Sequence, residues 1–243
     1  MKDKVIIVSG GSGLLGKEIV QTLRLKGAMV INFDLEPSEE DVEYIECDIT
    51  NDDSIKKSFE FSLKKFGKLD GLVNNAYPRT KDWGTNSFEF ENLDSWRVNV
   101  NWQMNSYVAC CQEAIKIMLK QNCGSIVNIT SIYGVVGNDF TIYEGTNITP
   151  PAAYSAIKGG LINFTRYLAS KYGTKGIRAN CVSPGGIFNF QQDAFVKSYE
   201  NKVPLKRMGK PDDIAPGVAF LLSDDAKYIT GHNLIIDGGW TVI

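Results

Sequence analysis

The most constraining feature of this chain stands at its start. A short, wholly apolar run, Val5 to Val8, leads into Ser9-Gly10-Gly11-Ser12-Gly13-Leu14-Leu15-Gly16 and then into helical spacing up to about Leu25. A run that is apolar at every position is a strand covered on both faces, as in a parallel sheet flanked by helices. The glycine-rich segment then lies at a strand-to-helix turn. There one glycine makes the turn, one admits a ligand close to the backbone, and one lets the helix approach the sheet. The free N–H groups at the helix start face the same point and favour a phosphate. Gly10, Gly13 and Gly16 are assigned these roles, with Ser12, Leu14 and Leu15 completing the turn.

The alternation continues along the chain. Met29 to Phe33, closed by Asp34, is a second strand, and Val42 to Cys47, Leu69 to Asn74, Ser125 to Thr130, Ile177 to Val182 and Asn233 to Ile236 follow. Helices are expected at Asp52 to Phe66 (capped by Asn51 or Asp52), at Leu93 to Lys120 with a kinked start, at Ala152 to Tyr172 and after Pro211. Strands alternating with helices predict a doubly wound α/β fold: one parallel seven-stranded sheet in a three-layer α/β/α arrangement. The 243 residues suit one domain, 1–243, without a linker or repeat. Irregular stretches at 76–91 and 134–151 and a mobile-looking segment at 187–208 all follow strand ends. Ligands bind at the carboxyl ends of such strands, so these stretches are expected to roof a site.

Composition removes other classes. The formal net charge is −2, with no basic field and no basic-aromatic clusters, so neither nucleic acid nor a membrane surface is an expected partner. His232 is the only histidine, which excludes a histidine-rich zinc site, and no metal is expected. The five cysteines are scattered and read as reduced, buried thiols. No leader-like or membrane-length apolar stretch is present, so a cytoplasmic protein is expected.

Asp34 stands where a carboxylate accepts both ribose hydroxyls of an adenosine and repels a 2′-phosphate, which favours NAD over NADP; the alternative is a strand-end cap. Asp48 follows the third strand, where it can accept from the adenine amino group or serve the local backbone. Leu35 and Ile49 beside these carboxylates, and Thr130 at the end of the fifth strand, are counted with the cofactor site. Asn74-Asn75-Ala76 either lines the dinucleotide cleft or holds the loop together.

Tyr154 and Lys158 are four residues apart and share one helix face. A neighbouring ammonium favours a phenolate, so the tyrosine is expected to have a lowered pKa and to act as a general acid/base. Ser131 can hydrogen-bond the same substrate oxygen.

With the glycine turn, Asn74-Asn75-Ala76, Ser131, Tyr154/Lys158, Ser183-Pro184-Gly185-Gly186 and Thr230-Gly231…Asp237-Gly238-Gly239, the chain resembles the short-chain dehydrogenase/reductase family over essentially its whole length. The resemblance implies that Tyr154 exchanges the proton and that Lys158 lowers its pKa and binds the nicotinamide ribose. It also implies that Ser131 orients the substrate, and that Pro184, Gly185 and Ile187 pack by the nicotinamide. It implies a homotetramer or homodimer as well. Three departures stand out. The turn has the spacing Gly10-x-x-Gly13-x-x-Gly16, with leucine at 14 where the single-domain branch has glycine. The family's relay asparagine is replaced by Gln103, unless a kink presents Asn101 instead. Ser131 and Tyr154 are twenty-three residues apart rather than about a dozen.

Two segments, Asn74 to Arg79 and Ile132 to Thr146, are similar to PtmA-like oxidoreductases of bacterial flagellin glycosylation and nonulosonate sugar pathways. That likeness implies a phosphorylated or nucleotide-linked amino sugar. Arg79 would meet its phosphate or remain a solvated loop charge, and Glu144 or Asn189 would meet hydroxyls. Tyr77, Tyr133, Tyr143 and Phe188 would complete the pocket beside Ser131. Two other readings stand beside this one: a reductase of an apolar or acyl ketone, and a non-catalytic NAD-binding scaffold.

Overall fold

The computed structural model describes residues 1–38 and 43–243. Its strands are β1 (Val5–Ser9), β2 (Met29–Asp34), β3 (Tyr44–Glu46), β4 (Gly71–Asn74), β5 (Gly124–Ile129), β6 (Ile177–Pro184) and β7 (Asn233–Ile236). They form one seven-stranded sheet in the order β3-β2-β1-β4-β5-β6-β7, with every pair parallel. The chain winds outward from β1 to β3, then crosses to β4 and winds the other way. The order therefore reverses between β1 and β4, where a ligand crevice opens at the strand ends. The register levels those ends: Ser9 lies beside both Phe33 and Asn74, and Asn74 beside Asn128. Val42, the expected start of β3, lies outside the described residues.

Both sheet faces are covered, as the unbroken apolar strands require. Helices α1 (Leu14–Leu25) and α7 (Pro211–Leu222) pack Ile19, Leu23, Ile214 and Val218 against Ile6, Val8 and Val73. On the other face, α2 (Asp52–Phe66), α4 (Ser106–Gln121) and α5 (Ala152–Tyr172) bring Phe59, Tyr107, Met118, Ile157 and Leu161 onto Ile7, Leu72 and Ile126. Asn51 caps α2 by accepting from the Ser54 N–H at 3.0 Å, an interaction that contributes about 1 kcal/mol. Among the described residues, no helix is long and apolar enough to cross a membrane.

The long helix expected at 93–120 is broken at its start. After α3 (Leu93–Val100), residues Asn101–Asn105 form one wider turn, in which the Ser106 N–H reaches the carbonyl of Asn101, five residues back. Such bulges rotate the side chains that follow them. Here Gln103 is buried, while Asn101 is exposed and accepts a bond from Asn105.

The reading of 187–208 as a mobile segment is corrected. Helix α6 (Asp193–Lys202) occupies its middle and joins a third apolar cluster of Ile132, Ile142, Phe195, Tyr199, Val203, Met208 and Trp240. Tyr143 packs on Phe195, with ring centroids 5.4 Å apart, and Tyr199 stacks on Trp240 at 4.6 Å. Lys202 pairs with Asp139 and lies over the Trp240 ring. The extra residues between Ser131 and Tyr154 are thus docked on α6 and the C-terminal turn. Sequence periodicity missed α6 because its buried face is narrow: only Phe195 and Tyr199 of its residues are buried.

Candidate active site

The glycine turn shows a different reason for each glycine. Gly10 has φ +67°, and a Cβ there would lie 2.6 Å from the Ala76 Cα, backbone against backbone. Asn75 locks this joint: its Nδ2 donates to the carbonyls of Ser9 (3.2 Å) and Gly10 (2.9 Å), and its N–H donates to the Ser9 hydroxyl at 3.1 Å. Its side chain therefore holds the loop. At Gly16 a Cβ would overlap the Gly10 carbonyl, so α1 can begin this close to the turn only on glycine. A Cβ on Gly11 would instead meet the side-chain amide of Asn32, a contact that motif spacing does not reveal.

Gly13 is unlike these. It is the N-cap of α1 with φ −77°, and the nearest atom to an added Cβ is 3.4 Å away. No side chain among the described residues caps α1, so the N–H groups of its first turn have no side-chain acceptor there. That arrangement fits a pyrophosphate. Leu14 is 46% exposed, so leucine at this position creates no clash, and Leu15 packs inward on the core.

Asp34 is engaged by the backbone and still has capacity. Its Oδ2 accepts from the Ser12 N–H at 2.9 Å and its Oδ1 from the Leu35 N–H at 2.8 Å; each oxygen retains a further lone pair. The Ser12 hydroxyl donates to the Glu36 carbonyl and accepts from Asn32. Asp48 binds the Thr50 N–H and hydroxyl through Oδ1 alone, with buried Ile49 beside it. The Thr130 hydroxyl donates to the Val182 carbonyl at 3.0 Å and shares a 2.7 Å bond with Ser183, so it ties β5 to β6. Pro184 ends β6, Gly185 donates to the Ile236 carbonyl, and the Gly186 N–H bonds to the Tyr199 hydroxyl at 2.7 Å. Ile187 makes a parallel bridge to Gly209. These elements fit a dinucleotide laid across the crevice, with room at Gly13 and acceptors at Asp34 and Asp48.

Ser131, Tyr154 and Lys158 converge at the end of β5. Lys158 is 5% exposed; its Nζ donates to the Ile129 carbonyl at 3.0 Å and lies 5.6 Å from the centre of the Tyr154 ring. The turn after Ser131 crosses α5 so closely that a Cβ on Gly134 would lie 2.7 Å from the Lys158 carbonyl carbon. Gly134 thereby sets the height of Ser131 over the helix. Gln103 is 2% exposed, its Nε2 reaches the Asn99 Oδ1 at 3.5 Å, and its Oε1 is buried without a partner among the described residues.

One electrostatic expectation is overturned. Burial pushes the Tyr154 phenol up, and the Ser131 hydrogen bond only partly opposes it. Burial also pushes Lys158 down, to about 8. Both groups lose the hydration of their charged forms, and the ammonium bonds to a carbonyl rather than to the phenol oxygen. At neutral pH the unliganded protein therefore holds Tyr154 as the neutral acid.

An aromatic wall encloses this pair. Tyr77 meets Tyr154 edge-on at 5.8 Å, Trp83 meets it at 6.5 Å, and the Trp83 Nε1–H donates to the Tyr77 hydroxyl at 2.8 Å. Nothing in the local sequence pattern around Trp83 distinguishes it. Arg79 lies over the outer face of Tyr77 at 5.4 Å, is exposed, and has no carboxylate partner among the described residues. On the other side, the Tyr143 hydroxyl donates to that of Tyr133 at 3.1 Å, while the Tyr133 N–H donates to the Ser131 hydroxyl. Phe188 contacts Phe190 at 5.4 Å, and both are exposed. Glu144 and Asn189 are exposed, with no side-chain hydrogen bond among the described residues.

Comparison with known proteins agrees with this geometry. A family model described as Enoyl-(Acyl carrier protein) reductase matches residues 12–241. The post-translational flagellin modification protein A of Campylobacter coli is 29% identical over 253 residues, covering 99% of both chains. The 7alpha-hydroxysteroid dehydrogenase of Bacteroides fragilis is 31% identical, covering 99% of this chain and 95% of that protein. A short-chain dehydrogenase from Leptospira borgpetersenii, solved with bound NAD+, superimposes with a TM-score of 0.91 at 37% identity, over 99% of this chain and 94% of that one. The chain belongs to the short-chain dehydrogenase/reductase family and is an oxidoreductase acting on CH–OH groups.

Proposed function

We propose that this protein moves hydride between NAD(H) and a secondary alcohol or ketone on a polar, anionic substrate, a phosphorylated or nucleotide-linked amino sugar. The observation that carries the reaction is the convergence of Ser131, Tyr154 and Lys158 at the end of β5, beside the crevice headed by Gly10 to Gly16. When bound, NAD supplies the hydride donor or acceptor. The first turn of α1 would hold its pyrophosphate, Asp34 the adenosine ribose and Asp48 the adenine, while Ile187 and Pro184 would border the nicotinamide.

Ser131 holds the substrate oxygen, and Tyr154 gives it a proton in reduction or takes one in oxidation. Lys158 keeps positive charge near the phenol and would hold the nicotinamide ribose. Gln103, presented inward by the wider turn, offers its unpartnered Oε1 to a water that returns the proton to Lys158. The substrate reading rests on Arg79 at the rim, without a carboxylate partner among the described residues, and on the Tyr133–Tyr143 hydroxyl pair opposite. The likeness to the Campylobacter flagellin modification protein points the same way. The exposed Phe188–Phe190 pair and the hydroxysteroid dehydrogenase relative favour the second reading, an apolar ketone. Assembly as a closed homodimer or homotetramer in the cytoplasm belongs to the same proposal.

A panel of sugar phosphates, sugar nucleotides, polyols and hydroxysteroids, followed by nicotinamide absorbance with both cofactors, tests this reading. NAD-linked turnover of phosphorylated sugars is expected, with KM raised in Arg79→Ala; turnover confined to steroids or apolar ketones would overturn the substrate class. The cofactor preference has its own test. Asp34→Asn removes the charge that repels a 2′-phosphate and should reduce the preference for NADH over NADPH by about ten- to a hundred-fold. Binding titrations with both cofactors read it, and an unchanged ratio would place the preference elsewhere.

A further inference from the structure

Lys158 has no carboxylate partner among the described residues. Its single hydrogen bond among the described residues is to the Ile129 carbonyl, yet it is almost fully buried. Its ammonium is instead surrounded by three phenol rings: Tyr154 at 5.6 Å, and Tyr77 and Tyr107 at 5.7 Å each. The rings come from three elements: α5, the segment after β4, and the first turn of α4. Two of them have their hydroxyls tied away from the lysine. The Tyr107 hydroxyl donates to the Ala76 carbonyl at 3.0 Å, and the Tyr77 hydroxyl accepts from Trp83. Tyr77 and Tyr107 therefore act on the ammonium through their rings, whose negative faces attract a cation most strongly where water is excluded.

We propose that Tyr77 is a positioning residue that keeps Lys158 protonated, its ring acting as the counter-charge that no carboxylate among the described residues provides in this pocket. The proposal rests on the role given to Lys158 above. The titratable groups that act on or face this lysine are Tyr154 on its own helix, Tyr77, Tyr107 on α4 and Cys181 on β6. Cys181 is a buried thiol whose Sγ lies 3.1 Å from the Thr165 hydroxyl, and burial pushes it up to about 11, so it stays neutral where Lys158 titrates. Burial drives the ammonium toward its neutral form, and the rings oppose that. Tyr77 is the part of the box that can be changed with least damage, since it is 41% exposed whereas Tyr107 is in the core.

The test is the titration of Lys158 in the full-length protein, followed by NMR of lysines isotope-labelled at Cε, with the resonance assigned by its loss in Lys158→Arg. Tyr77→Leu keeps the site apolar and removes the ring, and should lower the Lys158 midpoint by about one pH unit. Tyr77→Phe keeps the ring and should leave the midpoint where it is in the unaltered protein. Tyr77→Met serves the first purpose if the leucine variant folds poorly. In turnover, the alkaline limb of kcat should move to lower pH in Tyr77→Leu and not in Tyr77→Phe. An unchanged or raised midpoint in Tyr77→Leu would overturn the proposal. Absence of turnover with every substrate would count against the oxidoreductase role of the site, and the NMR titration would still decide the role of Tyr77.

Discussion

Replacing Tyr154 with phenylalanine is expected to lower kcat by about 10²- to 10⁴-fold while leaving the fold and the affinity for NADH close to unchanged. The separation of effects follows from where the hydroxyl stands. The ring is held edge-on by Tyr77 and Trp83, contacts a phenylalanine keeps. Among the described residues the hydroxyl hydrogen-bonds to the Ser131 side chain alone, so its removal leaves no deeply buried donor or acceptor stranded beyond that serine. What is lost is the proton. Because burial holds Tyr154 in its neutral form, the resting protein has the acid needed for ketone reduction already in place. Alcohol oxidation needs the phenolate and should rise with pH until Lys158, held near 8 by burial, loses its charge. Single-turnover rates and NADH titrations on the two proteins check the prediction; a loss of less than ten-fold would assign the proton to another group.

The second large effect is expected at Gly10. Gly10→Ala should abolish measurable NADH binding and lower unfolding stability by about 2–4 kcal/mol, because a left-handed residue gains a Cβ that meets the Ala76 backbone. Backbone on both sides leaves no flexible side chain to yield. The joint also carries the two Asn75 bonds that close β4 onto the turn. Gly13→Ala is the informative contrast. Its φ is ordinary and its Cβ would make only an ordinary contact, 3.4 Å from the Gly10 carbonyl oxygen, so stability should stay within about 0.5 kcal/mol while NADH affinity falls, since the new methyl would stand where a pyrophosphate approaches the turn. Denaturant unfolding and cofactor titration on both variants separate the glycine that builds the turn from the one that serves the ligand.

What could be read from the sequence follows from how local each signal is. Unbroken apolar strands and the strand-glycine-helix start need no partner to be recognised, and the bounds of α2, α5 and β7 agree with their caps and patterns. The Tyr154/Lys158 pair shares a face because helical geometry puts it there. Gln103 depended on a bulge, and only the wider turn at 101–105 settles that it faces inward and Asn101 outward. The roles of Gly11 and Gly134 depend on Asn32 and α5, each distant in sequence, so no short pattern could reveal them; Trp83 meets Tyr77 only six residues away, but across an irregular stretch that has no period to read. Helix α6 and the docked insert stabilise each other, and neither has a strong enough period alone. The direction of the Tyr154 shift was misread because spacing shows a neighbouring charge but not how deeply both groups are buried.

The central claim is that hydride passes to or from the carbon whose oxygen is held by Ser131 and Tyr154. The most direct test uses NADH deuterated at the nicotinamide C4, the purified protein and a panel of sugar-derived and simple ketones, with the alcohol products read by mass spectrometry and NMR. The account predicts deuterium on the carbinol carbon of at least one polar ketone, from one face of the nicotinamide only, and none with Tyr154→Phe on the same timescale. Tight NADH binding with no deuterium transferred to any ketone, or equal transfer by Tyr154→Phe, would contradict it.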